Sequence, residues 1–171
     1  EDVYAVIYLA AVIPSYMEEY NPESYIKTNI VGTYHVLEYC RRVHADRILF
    51  STTVFDISLF ATDGTVLKPD LPYNFSYKGD NAVYVITKNT AIELLEHYHQ
   101  EYGLKRFVFR FPTIYSYSPY HYYFPNGKKT LRPVYRMIVL AMKGEPIELW
   151  GNPDYSKDMV HVYDCAQMLC K

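Results

Sequence analysis

Glycine is scarce here, and what there is lies scattered. The chain has seven glycines in 171 residues, at positions 32, 64, 79, 103, 127, 144 and 151, and they never cluster. A glycine-rich turn that lets backbone N–H groups close on a pyrophosphate is therefore missing. Cysteine is also sparse. Cys40, Cys165 and Cys170 form an odd set without metal-ligand or disulfide-framework spacing, which points to a reducing compartment. Neither sign of charge dominates: 17 Lys and Arg against 19 Asp and Glu leave a net charge of −2 and a pI near 6.3. That balance argues against nucleic-acid and anionic-membrane partners. No apolar run reaches the roughly 18 residues that span a bilayer. No signal-peptide pattern opens the chain and no internal repeat divides it. His97 and His99, two residues apart on a helical pattern, point to different sides and make no metal pair. The expectation is a cytoplasmic protein that handles a small molecule, without a metal, a nucleic acid or a membrane.

What the chain has in excess is apolar and aromatic surface. Half of its residues are hydrophobic and 17% aromatic, twenty of them tyrosine, enough for the core of one domain. Near-continuous apolar runs at Val3–Ala11, Arg47–Thr52 and Arg106–Pro112 predict strands buried on both faces. Between the first two, Asn21 and Pro22 supply an N-cap and a first-turn proline for a helix reaching about Arg42. Between the last two, "NAVYVITKNTAIELLEHYHQEYG" predicts one long helix closed by Gly103. Strand, helix, strand, helix, strand argues for a parallel sheet with helices on its faces. After Pro112 an aromatic loop over 115–129 precedes a helix near Leu131–Met142 and a short strand at "PIELWG". Asp164 is placed to cap a last helix beginning at Cys165.

Ligands of open α/β sheets sit outside the carboxyl ends of the strands. Three features collect there. Leu9, Ala10 and Ala11 end the first strand with side chains small enough for a flat ligand to approach. Ser51, Thr52 and Thr53 end the second with hydroxyls. Tyr84 and Lys88 share one face at the start of the long helix, being four residues apart. The pair alone decides nothing, since a chain this rich in tyrosine supplies such a spacing by chance. Around one crevice, however, a serine hydroxyl, a phenol and an ammonium make an acid–base set. The lysine charge favours the phenolate and lowers the tyrosine from its usual value of about 10. Tyr84 then moves a proton on a substrate oxygen that Ser51 holds.

With these residues in place, the chain resembles the extended short-chain dehydrogenase/reductase family, in particular its NAD-dependent nucleotide-sugar epimerases and dehydratases. "VIYLAA" resembles the family's fourth strand, and "NIVGTYHVLEYCR" its N-x-x-G-T segment, whose asparagine, here Asn29, lines the cofactor site. "FSTTVF" is similar to the motif ending V-Y-G. Counting back three residues from Val54 puts the catalytic hydroxyl on Ser51, or on Thr52 if the strand end is shifted by one. "YVITK" carries the catalytic Tyr84 and Lys88, "RFPTIYS" resembles R-x-P-N-V-Y-G, and "DMVHVYDCAQ" the D-F-V-H-V-x-D segment. The resemblance implies cofactor contacts from Leu9, Ala10, Ala11, Asn29, Tyr84, Lys88 and Pro112. It implies substrate contacts from Thr52, Thr53, Thr113 and Lys157. The cofactor it implies is NAD or NADP, with NAD favoured. The substrate is a nucleoside-diphosphate sugar, and a homodimer is compatible with it. Thr113 stands where the family often has Asn, and Lys157 where it often has Arg. Lysine keeps the charge but loses the bidentate fork suited to phosphate.

The expected architecture is a Rossmann-like doubly wound parallel sheet, partial in this chain, with its N-terminal βαβ units missing. Residues 1–113 are its central and C-terminal part, and 114–171 begin a substrate-binding region. An unpaired sheet edge is expected beside Val3–Ala11. Two other readings use the same residues: an NADPH-dependent carbonyl or 4-keto-sugar reductase, and a non-catalytic dinucleotide-binding sensor. An intact Ser51, Tyr84 and Lys88 set argues against the sensor, which has no need of a low-pKa phenol.

Overall fold

The computed structural model describes residues 2–14, 19–61, 65–149, 152, 154 and 158–171. Within the first apolar run, Ala5–Tyr8 form strand β1. It is shorter than the run because the ladder stops at Tyr8. Four residues on, Val12 gives its N–H and C=O to the Asn29 side chain. Strands β2 (Arg47–Thr53) and β3 (Lys105–Phe111) follow the second and third runs. All pairing is parallel in the order β1-β2-β3, with Ile7, Leu49 and Phe107 on one rung. Among the described residues β1 pairs with β2 alone, so the expected unpaired edge is present.

The first helical stretch begins as its sequence dictates. Asn21 Oδ1 accepts the Ser24 N–H at 3.1 Å, and Pro22 occupies the first turn of α1 (Pro22–Tyr25). The helix then widens into a π-helical turn over Ile26–Val31 before resuming as α2 (Gly32–Arg42). Helix α3 (Asp80–Tyr102) ends where Gly103 adopts φ 71°, a left-handed conformation that favours glycine. Both long helices cover the same sheet face. Leu37 and Cys40 of α2, with Ala91, Leu95 and Tyr98 of α3, pack on Tyr8, Ile48 and Phe50. The other face is open among the described residues: Ile7 and Phe107 are 46% and 45% exposed. Burial on both faces, expected from the apolar runs, is thus seen for one face only.

Beyond Phe111 short pairs take over. Strand β4 (Thr113–Tyr115) runs parallel to β7 (Met159–His161), and β5 (Tyr122–Tyr123) makes a hairpin with β6 (Thr130–Leu131) inside the aromatic segment. Helices α4 (Pro133–Lys143) and α5 (Val162–Cys170) complete the described elements. Two local expectations need correction. Residues 146–149 form no strand, having no ladder partner among the described residues, and Trp150 and Gly151 lie outside them. Asp164 does not cap α5. His161 does, its Nδ1 accepting the Tyr163 N–H at 3.4 Å, while Asp164 sits in the first turn. Among the described residues no helix is long and apolar enough to cross a membrane.

Candidate active site

A cavity of about 420 Å³ opens at the carboxyl ends of β1, β2 and β3. Ser51, Thr52 and Thr53 of β2 and Tyr84 of α3 line it. Leu9, Ile13, Phe111, Pro112 and Ile114 make its apolar walls. Helix α5 closes it with Val162, Cys165, Ala166 and Leu169. Of the residues singled out in the sequence, Leu9, Ser51, Thr52, Thr53, Tyr84 and Pro112 therefore share one cavity. Ala10, Ala11, Asn29, Lys88 and Thr113 are outside its lining, and Lys157 lies outside the described residues.

Tyr84 is held from several sides. It is 9% exposed and packs with Tyr25, Phe75 and Val85. Thr53 Oγ1 accepts the Phe55 N–H at 3.2 Å, and its hydroxyl is the neighbour that pulls the Tyr84 phenol down. Thr53 and Ser51 both line the cavity that Tyr84 lines. The backbone beneath Tyr84 is braced as well. Thr87 Oγ1 donates to the Tyr84 carbonyl at 2.8 Å and accepts from Asn29 Nδ2 at 3.1 Å. Asn29 spends the rest of its amide on Val12, accepting its N–H at 2.9 Å and donating to its carbonyl at 3.0 Å. One buried amide so ties the segment after β1 to the turn of α3 that carries Tyr84.

The electrostatics depart from the expectation that Lys88 lowers the tyrosine. Burial pushes the Tyr84 phenol above its ordinary value; the Thr53 hydrogen bond pulls it down, and the negative charge of Asp56 adds to the rise. Lys88 is not among these influences. Its side chain is 2% exposed, and its Nζ lies 4.1 Å from the centre of the Phe50 ring. Burial brings the ammonium down to about 8.

Asp56 was invisible as a site residue. It is fully buried, and its Oδ2 receives Arg110 Nε and Nη2, each at 3.1 Å. Burial raises its carboxyl despite the guanidinium. Nothing in local sequence marks an aspartate on a 3₁₀ turn (Val54–Phe60) as buried. The α5 wall was not read from the sequence either, although its spacing carries the signal. Positions 162, 165, 166 and 169 follow the i, i+3, i+4, i+7 spacing of a helix stripe that faces its core.

A parallel α/β sheet with a cavity at the carboxyl ends of its strands is the arrangement of a Rossmann-type fold. The chain belongs to the NAD dependent epimerase/dehydratase family, whose model matches residues 1–171. It is 27% identical over 165 residues to a UDP-glucuronate 4-epimerase of Thermodesulfobacterium geofontis, covering 95% of this chain and 46% of the relative. It is 28% identical over 192 residues to a dTDP-glucose 4,6-dehydratase of Salmonella typhimurium, covering 96% and 46%. Among solved structures it is similar to the UDP-glucose 4-epimerase of Thermus thermophilus in complex with NAD. There the TM-score is 0.73 at 22% identity, covering 98% of this chain and 52% of that one. The chain spans about half the length of the relatives it matches.

Proposed function

We propose that this chain carries the proton-transfer half of an NAD-dependent nucleotide-sugar epimerase or dehydratase. The observation that supports this most is Tyr84 in a 420 Å³ cavity with three neighbouring hydroxyls, in a chain of this family. The residues fit a flat, polar-edged cofactor ring. Thr52 Oγ1 is buried and has no hydrogen-bond partner among the described residues, and Thr52 lines the same cavity as Leu9 and Pro112. Leu9, Thr52 and Pro112 would meet the ring, and Lys88 its ribose. NAD, when bound, supplies the hydride acceptor.

The chain's own residues move the proton. Tyr84 stands protonated at neutral pH, because burial and Asp56 hold its phenol up, and in that form it gives a proton to a substrate oxygen. Accepting one requires stabilising the phenolate. The Thr53 hydroxyl favours that form of the phenol. We assign the substrate-orienting hydroxyl to Thr53 together with Ser51. The residues from 114 onward begin the region that meets the sugar nucleotide.

The test is Tyr84→Phe in the complete enzyme. Loss of the phenolic proton should reduce turnover by about 10²-fold or more, with NAD affinity held within a few-fold. Full activity with a UDP- or dTDP-sugar would remove Tyr84 from the chemistry.

A further inference from the structure

A buried lysine ordinarily has a carboxylate beside it, because an isolated charge in the interior is costly. Lys88 has none. No Asp or Glu among the described residues forms an ion pair with it, and burial is the one influence on its ammonium. The charged groups on the elements packed against α3 are engaged elsewhere. Asp56 on the 3₁₀ turn pairs with Arg110 of β3, Glu38 of α2 with Arg41, and Glu96 of α3 itself with Arg106 of β3. The ring of Tyr25 lies 6.5 Å from that of Tyr84, one turn before Lys88 on α3. What Lys88 does have is a ring, that of Phe50, itself 1% exposed and set against Tyr8 at 5.7 Å between centroids.

We propose that the π face of Phe50 is the electrostatic partner of the Lys88 ammonium, making Phe50 a positioning residue for the lysine of the site. A cation within about 6 Å of a ring centroid is attracted by the ring quadrupole, and most strongly where water is excluded. Both conditions hold at 4.1 Å in the core. Phe50 sits on β2 immediately before the Ser51–Thr53 hydroxyls, so one strand presents the proton-handling groups at its end and the lysine's partner one residue earlier. The inference rests on the reading of Lys88 as a site residue, but its test does not.

The test reads the amine directly, in the full chain labelled with ¹⁵N-lysine. Lys88 is assigned by the signal that disappears in Lys88→Met, and its titration is followed by NMR. Phe50→Leu keeps an apolar side chain of similar bulk without a π face. Its Lys88 titration should move down by about one pH unit, the size of a desolvated cation–π contact. Should Phe50→Leu fail to fold, pentafluorophenylalanine at position 50 reverses the quadrupole in a nearly unchanged shape and should move the titration the same way. A lysine that titrates unchanged in the folded variant overturns the proposal. Because no turnover is measured, a failure here is distinct from a failure of the catalytic reading, which Tyr84→Phe decides by itself.

Discussion

Removing the Arg110 guanidinium should cost more than losing any single hydrogen bond of the site. Asp56 is fully buried, and Arg110 meets its Oδ2 through two nitrogens at 3.1 Å. The same guanidinium donates from Nη1 to the Pro69 carbonyl at 2.8 Å, so it also pins the loop that follows the 3₁₀ turn. Arg110→Ala leaves a carboxylate in the interior without its counter-charge, a loss of about 3–5 kcal/mol. The Pro69 bond adds about 1 kcal/mol. Protonating Asp56 relieves part of this, and burial already raises that carboxyl. A group with a raised folded pKa binds its proton more tightly when folded. Its contribution to stability is therefore full below the unfolded value and is lost as pH rises through the folded one. Without Arg110 the folded value rises further, so the loss extends to higher pH. Urea unfolding followed by circular dichroism should show it: for a slope of about 2 kcal/mol/M, the midpoint falls by about 2 M at neutral pH. The fall should be smaller in mild acid. Asp56→Asn combined with Arg110→Met should recover most of the stability, since neither then leaves a charge behind. A loss under about 1 kcal/mol at every pH, the size of an exposed ion pair, would refute the reasoning.

Three further outcomes are expected. Thr53→Val in the complete enzyme should lower kcat more than Ser51→Ala, because it is the Thr53 hydroxyl that pulls the Tyr84 phenol down; a larger loss from Ser51→Ala would return the main role to Ser51. Lys88→Met should stabilise the fold at neutral pH. The lysine's pKa is depressed from 10.5 to about 8, so its contribution is present above the unfolded value and lost as pH falls through the folded one. The gain is on the order of 3 kcal/mol and should vanish above about pH 10.5; equal melting-temperature gains at both extremes would mean that charge is not the cause. Asn29→Ala strips three bonds from Val12 and Thr87 and should cost about 2–4 kcal/mol. Hydrogen exchange at the Val12 amide should quicken, and an unchanged rate would show that the clamp is not needed there.

The order of elements was legible because it rests on features that act locally. Asn21 caps, Pro22 starts and Gly103 stops their helices by their own backbone chemistry. Strand ends were less so: β1 stops at Tyr8 because the segment beyond it answers to Asn29, a partner 17 residues away from Val12. The cavity position followed from topology, and six of the residues named for it line it. What could not be read was how those residues face one another. The Thr53 hydroxyl acts on the Tyr84 phenol from β2, and Lys88 turns to Phe50 across the core. Both depend on contacts between segments that sequence spacing does not record. The direction of the Tyr84 shift was misjudged for that reason: proximity along α3 suggested the lysine, whereas burial and Asp56 dominate.

The π-helical turn at Ile26–Val31 has a bearing on how this site can change over generations. Such a turn behaves as one residue inserted into an α-helix. Each α-helical residue rotates the chain by about 100°, so deleting one residue to restore a regular helix would swing Asn29 away from either Val12 or Thr87. Substitutions alone do not remove an extra residue. The wide turn is thus a lock of length rather than of composition: neighbouring side chains in 26–31 are free to drift, while the residue count between Pro22 and Gly32 is not.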